Sequence, residues 1–83
     1  NKTEPGNIDR QWFSKLKHLR KHIAEEENVP AFVIFSDATL ADMTDKMPTD
    51  KTQFIGVTGV GQTKLERYGM AFISLIEDYL ATR

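Results

Sequence analysis

FIGVTGVGQTKLERYG, from Phe54 to Gly69, is the stretch around which the rest of the chain is arranged. It holds Gly56, Gly59 and Gly61 and then passes at once into strongly helical sequence. Glycines so spaced let the backbone take φ > 0 or approach another group closely. A turn that feeds a helix also leaves unpaired N–H groups converging on one spot, where a phosphate can sit. Two readings follow. Either Gly59 and Gly61 only make a tight hairpin between helices, or their N–H groups also hold a phosphate. A Walker loop is excluded, because Lys64 follows Gly61 at the wrong spacing and no G-x-x-x-x-G-K-[ST] is present. No apolar, strand-like run leads directly into the glycines, which excludes a Rossmann fingerprint.

Downstream, a helical pattern runs from Gln62 to about Ala81. Leu65, Tyr68, Phe72, Leu75 or Ile76, and Tyr79 recur on one side, with Lys64, Glu66, Arg67, Glu77 and Asp78 opposite. Gly69 inside this helix costs ~1 kcal/mol relative to alanine. Close packing against another helix would offset that cost; a kink is the alternative.

Upstream, Thr49 is expected to cap a short helix from Asp50 to about Ile55, and Pro48 stops the helix before it. That earlier helix is predicted over Ala38 to Met47, with Asp37 as N-cap. Leu40, Met43 and Met47 form its inner stripe, and Asp42 and Asp45 its solvent face. AFVIF, Ala31 to Phe35, is too short for a helix of its own, and although its pattern suits a buried strand, nothing else in the chain offers a strand to pair with it. It reads as a single helical turn plugging the core through Val33, Ile34 and Phe35, with Phe32 left at the surface.

The first helix is predicted from about Asp9 to Glu27, capped near Asn7 or Asp9 and ended by Asn28, Val29 and Pro30. Its apolar stripe is Trp12, Leu16, Leu19 and Ile23, with Phe13 at the edge. Arg10, Lys15, Lys17, His18, Arg20, Lys21 and His22 make the densest basic cluster of the chain, either a solvated face or a contact surface. Glu25, Glu26 and Glu27 then oppose the helix dipole, which points to solubility or to a partner.

The 83 residues make one domain, with 1–8 read as a linker or tail and 9–83 as the folded unit. No apolar run approaches the ~20 residues of a membrane span. There is no cysteine, which removes disulfides and thiolate metal sites. A net charge of −1 argues against strong global attraction to nucleic acid, so any such site is a local basic patch and a weak one. No catalytic constellation is present. His18 and His22 lie at i, i+4 without a third ligand, and no serine elbow accompanies them.

Three stretches taken together resemble a known family: LKHLRKHIAEEENVPAFVIFSDATLADM, the following MP, and IGVTGVGQTKLERYGMAFISLI. They are similar, in order and spacing, to the HRDC domain (helicase and RNase D C-terminal), over Phe13 to about Tyr79. The NVP-A-F-V-I-F and V-G-x-x-K-L-E-R-Y-G versions look most like the domain of bacterial RecQ DNA helicases, with the RNase D branch second. The resemblance implies an all-α fold, a compact bundle of five helices with a helix–hairpin–helix-like turn before the last one.

It also implies an auxiliary, non-catalytic role, contacting single-stranded or partially duplex DNA weakly and tuning substrate selectivity in recombination and repair. The family's surface aromatic falls on Phe32, where phenylalanine replaces the usual tyrosine and Ala31 replaces a second proline. Lys17, Arg20 and Lys21 would contact phosphates. Lys64 and Arg67, with the N–H groups of Gly59 and Gly61, would make a second phosphate contact. No cofactor is expected in the domain itself; ATP, magnesium and zinc would belong to the parent helicase, in the bacterial cytoplasm or nucleoid. The chain shows no strong oligomer signal and is expected to be a monomer, with no membrane partner. Docking on the helicase core or another protein, and RNA binding in an RNase D-like exonuclease, are the alternatives.

Overall fold

The computed structural model describes residues 10–82, which fold into five helices with no strand among them. The expected tail over 1–8 and the caps at Asn7 or Asp9 lie outside the described residues. Helix α1 is Arg10–Glu27, α2 the single turn Ala31–Ile34, α3 Asp37–Lys46 and α4 Lys51–Phe54. Helix α5 spans 62–81 continuously, through Gln62–Lys64, a π-helical turn Leu65–Gly69, and Met70–Ala81.

Local chemistry sets the boundaries. Asn28, at φ 59°, ends α1 in the left-handed region that asparagine tolerates. Its N–H donates to Glu25 O at 3.2 Å and that of Val29 to Ala24 O at 3.0 Å, the paired bonds of a Schellman stop. The chain has therefore left α1 before Pro30 is reached. Ser36, not Asp37, caps α3: its Oγ accepts the Thr39 N–H at 3.2 Å, and Asp37 becomes the first helical residue. Likewise Asp50, not Thr49, caps α4 by accepting the Gln53 N–H at 2.8 Å. Thr49 instead donates its own N–H back to Gln53 Oε1 at 2.9 Å, closing a reciprocal box.

The buried row of α1 is Trp12, Leu16, Arg20 and Ala24, while Leu19 and Ile23 are only half-buried. The expected stripe is therefore rotated, because an arginine occupies a position that the hydrophobic pattern assigns to the polar side. In the AFVIF run Ile34 and Phe35 are buried as expected, but Val33 is 39% exposed. One turn of helix has a single inward face, and Val33 shares the outward one with Phe32.

Phe35 follows in extended backbone (φ −151°, ψ 145°) and enters the middle of the core. Its ring meets Phe72 edge-on at 5.2 Å, Phe54 at 6.0 Å and Tyr68 at 6.2 Å, which joins α2 to α4 and α5. At the far end Trp12 stacks on Tyr79 at 4.1 Å, tying the start of α1 to the end of α5.

Gly69 explains itself differently from the expectation. A Cβ there would lie 2.7 Å from Leu65 Cδ1, a side chain of its own helix and not of a neighbour. The π-helical turn Leu65–Gly69 widens the helix at this point, and the missing side chain leaves room for Leu65 to fold back over it.

The glycine turn rests on α3. Gly59 has φ +83°, and a side chain on it would strike Thr39 Oγ1, whereas Gly61 has open space around its Cβ position. Gly59→Ala is therefore expected to destabilise the domain by about 1–2 kcal/mol or more, from the left-handed backbone alone. Gly61→Ala should stay within ~0.5 kcal/mol of wild type. Urea denaturation of the two variants checks this contrast.

Candidate nucleic-acid interface

Helix α2 packs on α1 and buries Ile34, and Pro30 begins it. Pro30, in extended backbone, provides the carbonyl that accepts the Val33 N–H at 3.0 Å, which closes a single turn. Phe32 projects from that turn and is 70% exposed, the most exposed large apolar side chain among the described residues. A free aromatic face is what stacking on a nucleobase requires.

Cations are carried by α1, which packs on α2, and by α5, which packs on Phe35. On α1, Lys17, Arg20, Lys21 and Ala24 follow at i, i+3, i+4 and i+7, so they share one side of the helix. Arg20 and Ala24 are buried against the fold, and Lys17 and Lys21 remain exposed on its rim. The Lys17 ammonium lies 5.5 Å from the ring centre of Phe13, which steadies a long side chain at little cost. From α5, half-buried Lys64 places its ammonium 5.9 Å from the ring centre of Phe35, three residues beyond Phe32. Arg67, one turn further, is exposed.

Arg20 does not join this exposed set. Its Nη1 donates to Phe35 O at 2.9 Å and pairs with Asp37 Oδ1 at 2.8 Å, and its side chain is only 10% exposed. The expected phosphate contact at Arg20 is therefore replaced by an internal one. A guanidinium on the inner row of α1 is more easily satisfied by the nearest free carbonyl and carboxylate than by a solvated ligand.

The glycine turn is also engaged internally. Asp42, expected on the solvent face of α3, accepts the Thr58 N–H at 2.8 Å and both of its oxygens take the Lys46 ammonium, at 2.8 and 2.7 Å. A carboxylate of this chain thus takes one of the turn's N–H groups, beside Gly59. Lys46, and then the Thr58 N–H, hold the Asp42 carboxyl below its ordinary pKa, with partial desolvation opposing them. Lys64 and Arg67 sit one turn and more beyond, and Lys64 is directed to Phe35. Sequence reading missed Asp42 as the support of the turn. The available signal was its i, i+4 spacing to Lys46, which marks an anchored carboxylate but not what it anchors.

Comparison with known proteins identifies the family. The model of the HRDC domain matches residues 9–76, and the chain belongs to that family. It is 44% identical over 75 residues to the ATP-dependent DNA helicase RecQ of Haemophilus influenzae, covering 90% of this chain and 12% of that protein. The RecQ helicase of Bacillus subtilis is 42% identical over 67 residues, 81% of this chain and 11% of the relative. The ATP-dependent DNA helicase UvrD2 of Mycobacterium tuberculosis is 39% identical over 70 residues, 84% of this chain and 10% of the relative. The chain thus spans about a tenth of the relatives it matches. Among solved structures, HRDC domain 3 of D. radiodurans RecQ superposes with a TM-score of 0.80 at 29% identity, covering 83% of this chain and 91% of that one.

The anchoring of the turn has a pH signature. Asp42 has a lowered folded pKa, so its contribution is present above the unfolded carboxylate value and is lost as pH falls through the folded one. At pH 7 Asp42→Asn is expected to be less stable than wild type by about 1 kcal/mol, the scale of a part-exposed charged hydrogen bond. The gap should begin to narrow below about pH 4 and close only once the pH has fallen below the lowered folded value. Chemical denaturation of both proteins between pH 7 and 3 measures it.

Proposed function

We propose that this domain is a non-catalytic, nucleic-acid-binding accessory module of a RecQ-type ATP-dependent DNA helicase, one that contacts single-stranded DNA and tunes the parent's choice of substrate in recombination and repair. The observation that carries the reading is Phe32, 70% exposed on its turn, with Lys17 and Lys21 exposed on α1, the helix against which that turn packs. Its ring stacks a base; Lys17 and Lys21, with Lys64 or Arg67, neutralise the flanking phosphates. Phenylalanine keeps the stacking face that a tyrosine would offer and gives up the hydroxyl contact. ATP, magnesium and zinc are the business of the parent's motor and zinc-bearing region, acting in the bacterial cytoplasm, and this chain contributes no group to them.

One observation favours a second reading. Glu25, Glu26 and Glu27 are all exposed at the end of α1, and the chain carries a net charge of −1, which suits docking on a basic face of the helicase core or of another protein. The DNA relatives give the RNase D-like alternative no comparable support.

Fluorescence anisotropy of labelled oligo-dT separates the two. Phe32→Ala is expected to weaken binding about tenfold, ~1.4 kcal/mol and within the stacking range. For three neutralised phosphates, log K should fall with log salt at a slope of about −2. No binding at low salt by the folded domain would transfer the proposal to docking.

A further inference from the structure

We propose that Arg20 is the positioning residue of the Phe32 site: it acts not on DNA but through the Phe35 carbonyl, fixing the turn from which Phe32 projects. This rests on the reading of Phe32 as the single-strand anchor. Helix α2 is four residues long, too short to be stable by its own backbone bonds, and its N-cap Pro30 makes no side-chain cap. Its orientation must be imposed from outside.

At its exit, Phe35 is gripped twice. Its ring is enclosed by Phe54, Tyr68 and Phe72, and its carbonyl receives the Arg20 Nη1 proton at 2.9 Å. The ring holds Phe35 in the core, but a ring alone leaves the peptide plane free to rotate. The guanidinium hydrogen bond removes that freedom, three residues from Phe32. The second Nη1 proton goes to Asp37 at 2.8 Å, so one nitrogen bridges the end of α2 to the first residue of α3.

The energetics agree. Burying a charged arginine is a poor route to stability, since well-packed apolar residues often do as well or better. Here the burial is also incomplete in its bonding: among the described residues the buried Nε–H of Arg20 finds no acceptor. What the guanidinium supplies that methionine or lysine does not is a planar, two-proton fork aimed at a carbonyl and a carboxylate together.

The test uses Arg20→Lys and Arg20→Met, each alone and combined with Phe32→Ala, with oligo-dT anisotropy across a salt series. Circular dichroism melts establish that each variant is folded. Arg20→Lys keeps the charge and loses the fork. It is expected to weaken binding about fivefold with the salt slope unchanged, and to add less than twofold once Phe32 is already alanine. Such non-additivity marks action through Phe32.

Wild-type binding by Arg20→Lys, with a slope made shallower by ~0.7 in Arg20→Met, would make Arg20 a phosphate contact and overturn the proposal. Equal weakening in both backgrounds would overturn it too, leaving Arg20 a general support of the fold. If Phe32→Ala alone binds as wild type, the anchor reading falls and the positioning role with it. If Phe32→Ala weakens binding and neither Arg20 variant does, only the role of Arg20 falls.

Discussion

Phe35 is the residue on which the remaining contacts depend, because it is held at both of its chemically distinct ends. Its ring sits among Phe54, Tyr68 and Phe72, and Lys64 covers it at 5.9 Å; its carbonyl is taken by Arg20. Burial of such a ring contributes about 2–3 kcal/mol by transfer alone, and the edge-on partners add to it. The consequence reaches beyond stability. A chain that must bring Phe35 inward in extended backbone, right after one helical turn, leaves that turn standing at the surface, and Phe32 stands with it.

The glycine turn follows a different logic. The glycine turn is seated on α3, with Gly59 against Thr39 and the Thr58 N–H on Asp42. Thr39 and Asp42 are one helical turn apart, so a single face of α3 carries both supports. A backbone turn that presents N–H groups is a general anion seat, and here a carboxylate of the same chain takes one of those groups. The weight of the proposed DNA contact therefore falls on the α1–α2 side, where the aromatic is exposed and Lys17 and Lys21 line the rim.

Much of the fold was legible in the order of the residues, and the misreadings are instructive. Helix existence followed from periodicity and from proline and glycine punctuation, since these act within a few residues. Cap positions moved by one, from Asp37 to Ser36 and from Thr49 to Asp50, because neighbouring Ser, Thr and Asp all have capping oxygens and only the backbone path selects among them. The rotation of the α1 stripe and the misplacement of Arg20 share one cause. A polarity pattern assigns a guanidinium to solvent, and its pairing with a carbonyl 15 residues later is not written in any local spacing.

By itself, then, the sequence determined the class of fold, the five helices, the inward row from Leu65 to Ile76 and the exposure of Phe32, all of which rest on side-chain periodicity and turn chemistry. The tertiary structure alone decided which polar groups face outward. Arg20 went inward to Phe35 and Asp37, and Asp42 turned from the solvent face to the glycine turn. The physical reason is that a buried or half-buried charge is placed by the partners that compensate its desolvation. Those partners come together only once distant segments have packed.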